Sequence, residues 1–303
     1  MEYNSETNIS INEAVIRLKS QIKNVQPDVL KTGLRQLDAL GGFSPGELCV
    51  IGARPRMGKT MFILNLISHM LWKNIPVGLF SADDNLNVNY LSRILSTVKK
   101  TNTPHNYEQS SIFILEAALE DIPLYLNIEP RKDIAYLREN AIKLKEEKGI
   151  KCLFIETIQS FFENGKNGTS KKGAENVCRE LRILAQELNI PIIITSDLNR
   201  GPENRPILDG KRPQIRDLRY SDSIECYADK VFFLFRPQYY RVLSDIDGND
   251  LRGVLIVIVA KNTYGPTGEF RLEYNNSLGQ VADFDELRYD EKDLIDLLKN
   301  NSA

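Results

Sequence analysis

Hydrophobic and polar positions along the chain alternate between strand-type runs and helix-type stripes. Short apolar runs lie at Leu48–Gly52, Val77–Phe80, Leu124–Ile128, Cys152–Glu156, Pro191–Ser196, Lys230–Phe235, Gly253–Lys261 and Gly268–Tyr274, the last of them read as the final strand. Between them, apolar residues at helical spacing predict helices over Met61–Leu71, from beyond Asn85 to Lys99, and over Ile134–Lys148, Ala174–Leu188 and Asp290–Lys299. Residues 100–123 read as a helical excursion, and Glu163–Gly173 as a Gly/Asn/Lys loop. Strands that alternate with helices predict an α/β fold with a mainly parallel sheet flanked by helices on both faces.

The first 31 residues stand apart. Ser10-Ile11-Asn12-Glu13 is a capping box, and Ile11, Ala14, Val15, Leu18, Ile22 and Val25 form one apolar stripe before Pro27 ends the helix. The expected organisation is an N-terminal amphipathic linker helix (1–31) ahead of one body (32–303). A one-sided stripe must be buried, either on its own domain or on a neighbouring subunit.

The candidate chemistry starts at Ala53-Arg54-Pro55-Arg56-Met57-Gly58-Lys59-Thr60, a phosphate loop of the form [AG]-x-x-x-x-G-K-[ST] between a strand and a helix. Gly58 lets the backbone approach a polyphosphate, and N–H groups at the helix start face the anion. Lys59 is placed for the β- and γ-phosphates and Thr60 for Mg²⁺, which implies ATP as ligand. Glu156, closing a later apolar strand, is the candidate second metal residue. Ligands in such sheets bind beyond the carboxyl ends of the strands, where Thr60, Asp83, Glu156 and Asp197 all fall.

Composition narrows the picture further. A chain of 303 residues with 42% apolar content can build a real core, and a net charge of −2 excludes bulk attraction to nucleic acid. One basic cluster remains, Arg200, Arg205, Lys211, Arg212, Arg216 and Arg219 within the polar stretch 197–222, suited to phosphates or to plain solvation. Cys49, Cys152, Cys178 and Cys226 are widely spaced, so neither zinc nor a disulfide framework is expected, and Cys49 and Cys152 belong in the core. His69 and His105 have no nearby ligand partners in sequence. No run reaches transmembrane length and no signal-peptide pattern opens the chain, so a cytoplasmic protein without membrane contacts is expected.

Taken in order, these motifs resemble the DnaB-type replicative helicase motor domain, a RecA-like phosphate-loop fold. The resemblance runs from about Lys31 to Phe284. It is carried by Thr32-Gly33-Leu34 with Leu37-Asp38, by Ala53-Arg54-Pro55-x-Met57-Gly58-Lys59-Thr60 and by Ser196-x-Leu198-Asn199-Arg200. Further on come Asp217-Leu218-Arg219-x-Ser221-x-Ser223-Ile224-Glu225, Ala228-Asp229, and Lys261 with Gly265-Pro266-x-Gly268. It implies ATP bound between subunits of a ring that moves on single-stranded DNA, with the helix at residues 11–23 placed like the family's linker helix. The family's separate N-terminal domain has no counterpart here, so its loader and primase contacts are not expected.

The departures fall on hydrolysis. Ser81-Ala82-Asp83-Asp84 stands where the family has S-L-E-M, which makes the shorter Asp83 the only candidate base. Glu156 replaces an Asp, and Asp197 replaces the Gln that senses the γ-phosphate. Lys261-Asn262-Thr263-Tyr264-Gly265-Pro266 keeps the lysine of K-Q-R-N-G-P, expected to act on a neighbour's nucleotide, but loses the arginine finger. A lost finger costs about 10³ to 10⁵ in rate. The resemblance assigns DNA contact to Arg200, Arg219, Tyr220 and Ser221, with Asp222 where the family has Gly. The leading expectation is an ATP-binding protein with weak turnover at or near single-stranded DNA. The alternatives are an active ring helicase using Arg271 or Arg252 as finger, and a non-hydrolysing, nucleotide-gated partner of a helicase.

Overall fold

Strands that are apolar on both faces need cover on both sides, and here one sheet separates two hydrophobic cores. The structure is a computed structural model that describes residues 11, 29–81, 122–127, 133–163, 171–206, 210–276 and 279–284. Its elements are α1 (Arg35–Ala39), β1 (Leu48–Ala53), α2 (Lys59–Trp72), β2 (Val77–Ser81), β3 (Leu124–Asn127), α3 (Ile134–Lys148), β4 (Cys152–Glu156), α4 (Gln159–Glu163) and α5 (Lys171–Leu188). There follow β5 (Ile192–Asp197), α6 (Ser221–Tyr227), β6 (Lys230–Phe235), β7 (Val254–Asn262), β8 (Gly268–Asn275) and β9 (Gln280–Ala282).

The nine strands form one sheet in the order β3-β2-β4-β5-β1-β6-β7-β8-β9. From β3 to β6 every pairing is parallel, and β7, β8 and β9 continue it antiparallel. Parallel neighbours out of chain order require crossovers, which the helices supply. The strand residues divide by their alternation: Cys49 and Ile51 of β1 face the core under α2, whereas Leu48 and Val50 face the core under α3 and α5. α2 is buried from Phe62 to Ser68, as expected of a helix apolar on most sides. α5 instead shows a one-sided stripe, Ala174, Val177, Cys178, Leu181, Leu184, Ala185 and Leu188, all buried.

Several boundaries depart from the sequence reading. The stretch expected as a loop at Glu163–Gly173 is helical at both described ends, because α4 runs to Glu163 and α5 starts at Lys171. Gly268–Asn275 is followed by one more strand, β9, which docks on α2: Asn65 donates to the Gly279 carbonyl at 3.1 Å and accepts from the Val281 amide at 3.2 Å. The short helix α1 had no periodic signal, being a single turn. The N-terminal stripe, Ile11 apart, lies outside the described residues, as do the 100–121 excursion and the closing helix at Asp290–Lys299.

Two buried ion pairs fasten the end of the sheet where β1 and β6 begin. Lys230 bonds Glu47 at 2.9 Å, with both side chains almost fully buried, and also donates to the Gly42 carbonyl at 2.8 Å. Arg182 of α5 bonds Asp229 at 2.5 Å, and the same carboxylate accepts from the Leu48 amide at 2.8 Å. Burial pushes the Asp229 carboxyl upward, partly offset by that amide and by Arg182. These bonds fix where β1 starts, and so where the loop at its other end emerges.

Candidate phosphate-binding site

The loop after β1 bends through two left-handed residues, Arg56 (φ 65°) and Gly58 (φ 94°). Gly58 is required twice over: its φ is unfavourable for any side chain, and a Cβ would lie 2.7 Å from the Tyr274 ring. Directly after it, Lys59 and Thr60 begin α2, so both side chains project from a helix start whose first N–H groups have no partner within the helix.

The parallel strands bring two acids to these residues. Thr60 donates its hydroxyl to Glu156 Oε1 at 2.5 Å from the end of β4, and Lys59 bonds Asp197 Oδ1 at 2.5 Å from the end of β5. The Lys59 ammonium also donates to the Ala53 carbonyl at 3.2 Å. Four residues picked from sequence therefore meet in one place. Asp83, the candidate base, follows β2 directly but lies outside the described residues, as does Asp84.

The oxygen pair at Thr60 and Glu156 has the hard-donor character that Mg²⁺ requires. Among the described residues no group of three or more His, Cys, Asp or Glu is placed to hold a metal. Mg²⁺ is commonly held by one or two protein oxygens together with a ligand's phosphates.

Further residues support the loop that spacing alone did not indicate. Arg54 donates to the Leu198 carbonyl at 2.8 Å and to Glu203 at 3.1 Å, tying the loop to the segment after β5. Arg236, just past β6, donates to the Arg56 carbonyl at 3.2 Å, and its guanidinium sits 3.7 Å above the Tyr274 ring. Gln159, buried in α4, accepts from the Asp197 amide at 3.1 Å and donates to the Ser196 hydroxyl at 2.9 Å. Arg236 and Tyr274 lie far from the loop in sequence; the parallel β1–β6 pairing brings back Arg236, and the antiparallel extension through β7 and β8 brings back Tyr274.

The basic stretch after β5 is more structured than a solvated loop. Arg205 pairs with the buried Asp217, Arg212 with Glu269, and Lys211 with the Glu203 carbonyl. These three cations thus neutralise or satisfy groups of the chain itself. Arg200, Arg216 and Arg219 remain exposed. Tyr220 is left-handed (φ 62°) and half-buried against the second core, and Ser221 is the first residue of α6.

Lys261 stands elsewhere. β7 runs antiparallel to β6, so Lys261 pairs with Val231 near the start of β6, at the opposite end of the sheet from the phosphate loop. A six-residue strand separates those ends by about 17 Å. Its ammonium donates to the Glu225 carbonyl at 2.6 Å. The two alternative arginines are both engaged: Arg271 bonds Asp245 at 2.9 Å and Arg252 bonds Asp250 at 2.7 Å.

Comparison with known proteins gives a consistent set of likenesses. A family model described as the DnaB-like helicase C terminal domain matches residues 29–283. The replicative DNA helicase DnaB of Geobacillus stearothermophilus is 30% identical over 278 residues, covering 85% of this chain and 58% of that protein. DnaB of Rickettsia bellii is 28% identical over 312 residues, covering 91% and 62%. The chain spans about three-fifths of the length of these relatives. Among solved structures, one described as an ATPase domain superposes with a TM-score of 0.76 at 24% identity, covering 91% of this chain and 99% of that one. A DnaB-like replicative helicase, solved in a study of its interactions with primase, gives 0.74 at 23% identity, covering 90% and 68%. At that identity the structural likenesses speak for the fold. No helix among the described residues is long and apolar enough to cross a membrane.

Proposed function

The chain belongs to the DnaB-like helicase C-terminal domain family, and from that premise we propose that it binds Mg·ATP, turns it over weakly, and acts at or near single-stranded DNA in replication. The observation that carries the proposal is the meeting of Lys59, Thr60, Glu156 and Asp197 at the start of α2. In this reading the loop amides and Lys59 hold the phosphates, while Thr60 and Glu156 hold Mg²⁺, which neutralises charge on the phosphates when bound. Asp83 serves as the base that orients water.

Weak turnover follows from what surrounds this binding set. The position of the family's γ-phosphate sensor carries a carboxylate, already paired with Lys59. The segment after Lys261 offers Asn262 and Thr263 in place of an arginine, and Arg252 and Arg271 are held by acids of their own chain. Lys261, remote from its own phosphate loop, is suited to a neighbour's nucleotide in a ring, and Arg200 and Arg219 to DNA phosphates, with Tyr220 and Ser221 beside them.

Steady-state ATPase measurements with and without single-stranded DNA, against Lys59→Ala, test the proposal. The expected result is saturable nucleotide binding with slow hydrolysis, both lost in Lys59→Ala. Brisk, DNA-stimulated, Lys59-dependent hydrolysis would instead establish an active helicase motor.

A further inference from the structure

We propose that Asp197 is a charge-selective element of the phosphate site, one that biases it toward a nucleoside diphosphate over the triphosphate. The proposal rests on the nucleotide-binding reading above.

Asp197 Oδ1 lies 2.5 Å from the Lys59 ammonium, whose other bond runs to the Ala53 carbonyl. The Lys59 side chain is only 11% exposed, and this carboxylate is in direct ion-pair contact with it. Glu156 Oε1, at the end of the neighbouring β4, accepts from the Thr60 hydroxyl.

The carboxylate is also held in place. Asp197 sits opposite Ala53 in the β1–β5 pairing, its amide donates to the buried Gln159, and its carbonyl accepts from the Arg219 amide at 3.4 Å and the Ser196 hydroxyl at 3.3 Å. These bonds fix the Asp197 backbone at the end of β5, and its side chain, 39% exposed, reaches Lys59 from there.

The consequence is one of charge. A lysine in this loop type serves the β- and γ-phosphates. A carboxylate one hydrogen bond away from that ammonium competes with the phosphates for it and repels the added charge of a γ-phosphate. An amide in the same place would donate a hydrogen bond, which a carboxylate lacks the proton to do. A diphosphate, without the γ-group, escapes most of this repulsion.

Equilibrium titration of the full chain with ribose-labelled ADP and ATP at fixed Mg²⁺ tests the inference on wild type, Asp197→Asn, Asp197→Gln and Lys59→Ala. Wild type is expected to prefer the diphosphate. Either Asp197 variant should tighten the triphosphate tenfold or more, about 1.4 kcal/mol, while moving the diphosphate less than about threefold. Equal affinity of the wild type for both nucleotides, or equal shifts for both in the variants, would overturn the inference. If Lys59→Ala abolishes binding while the Asp197 variants leave the ratio unchanged, the nucleotide site stands and this inference falls. If no variant takes up either nucleotide, both fall.

Discussion

At Thr32, Gly33 and Asp38 the physical content of a sequence motif becomes visible residue by residue. Asp38 accepts from the Thr32 amide at 2.5 Å, the Thr32 hydroxyl at 2.8 Å and the Gly33 amide at 3.2 Å, closing the turn before α1. Gly33 is left-handed (φ 85°), and a Cβ there would overlap the imidazole of His69, which itself packs edge-on against Trp72. Alanine at this position would meet an unfavourable backbone and displace the ring, a combined cost of about 2–4 kcal/mol. Urea denaturation of Gly33→Ala should therefore show a lowered midpoint with an unchanged slope. A midpoint equal to wild type would mean that the turn and His69 relax freely. Gly58 obeys the same two constraints, with Tyr274 in the place of His69, so its glycine serves the fold as well as any phosphate.

Among the elements, the excursion between β6 and β7 carries a staple of its own. Asp245 accepts from the Asn249 side chain at 2.9 Å, from the Asn249 amide at 2.8 Å and from the Asp247 amide at 3.1 Å, and it pairs with Arg271 of β8. These bonds, that from the Asn249 side chain foremost, hold its carboxyl down to about 2. A depressed pKa means that the staple contributes in full above the ordinary carboxylate range near 4 and is lost as pH falls through about 2. Protection of the Asn249 amide, taken relative to the intrinsic exchange rate at each pH, should hold down to about pH 3 and fall below it, and Asp245→Asn should remove that acid step. Persistence of the step in the variant would place its origin in another carboxylate. This excursion shows the limit of sequence reading at the element scale. The parallel strands and α3 were legible because burial on two faces leaves a continuous apolar run and burial on one face leaves a period. The hairpin that Asp245 closes, the one-turn α1 and the three-residue β9 are too short to carry a period and are set by side-chain bonds to distant chain. The same holds in the site. The phosphate loop and its acids are contiguous with strand ends and could be read, whereas Arg236, Tyr274 and Gln159 reach the loop only through the order of the strands. The polar stretch 197–222 was legible as basic but not as internally paired, since nothing in the sequence matched Arg205 to Asp217 within it or Arg212 to the distant Glu269.

For the molecule as a whole, the four cysteines report on unfolding and, through it, on ligand binding. Cys49, Cys152 and Cys178 are buried while Cys226 is exposed on α6. Burial pushes the Cys49 and Cys152 thiols well above their usual range and Cys178 up to about 12. Because the thiolate is the reactive form, these three stay protonated and shielded even at pH 9, and raising the pH that far should not open them. A thiol reagent should thus modify one cysteine quickly in the native protein and the other three only as the sheet opens. Two of the three, Cys49 of β1 and Cys152 of β4, lie on either side of β5 in the middle of the sheet, so their exposure follows global rather than local opening. A ligand that binds only the folded state suppresses that opening by the factor 1 + [L]/Kd, about 100-fold or 2.7 kcal/mol at a hundred times Kd. Mg·ATP should accordingly slow modification of the three buried thiols and leave Cys226 untouched. Lys59→Ala should keep the one-fast, three-slow pattern and lose the protection. Protection that survived in Lys59→Ala would locate nucleotide binding away from the phosphate loop, on a surface that the fold has not marked for it.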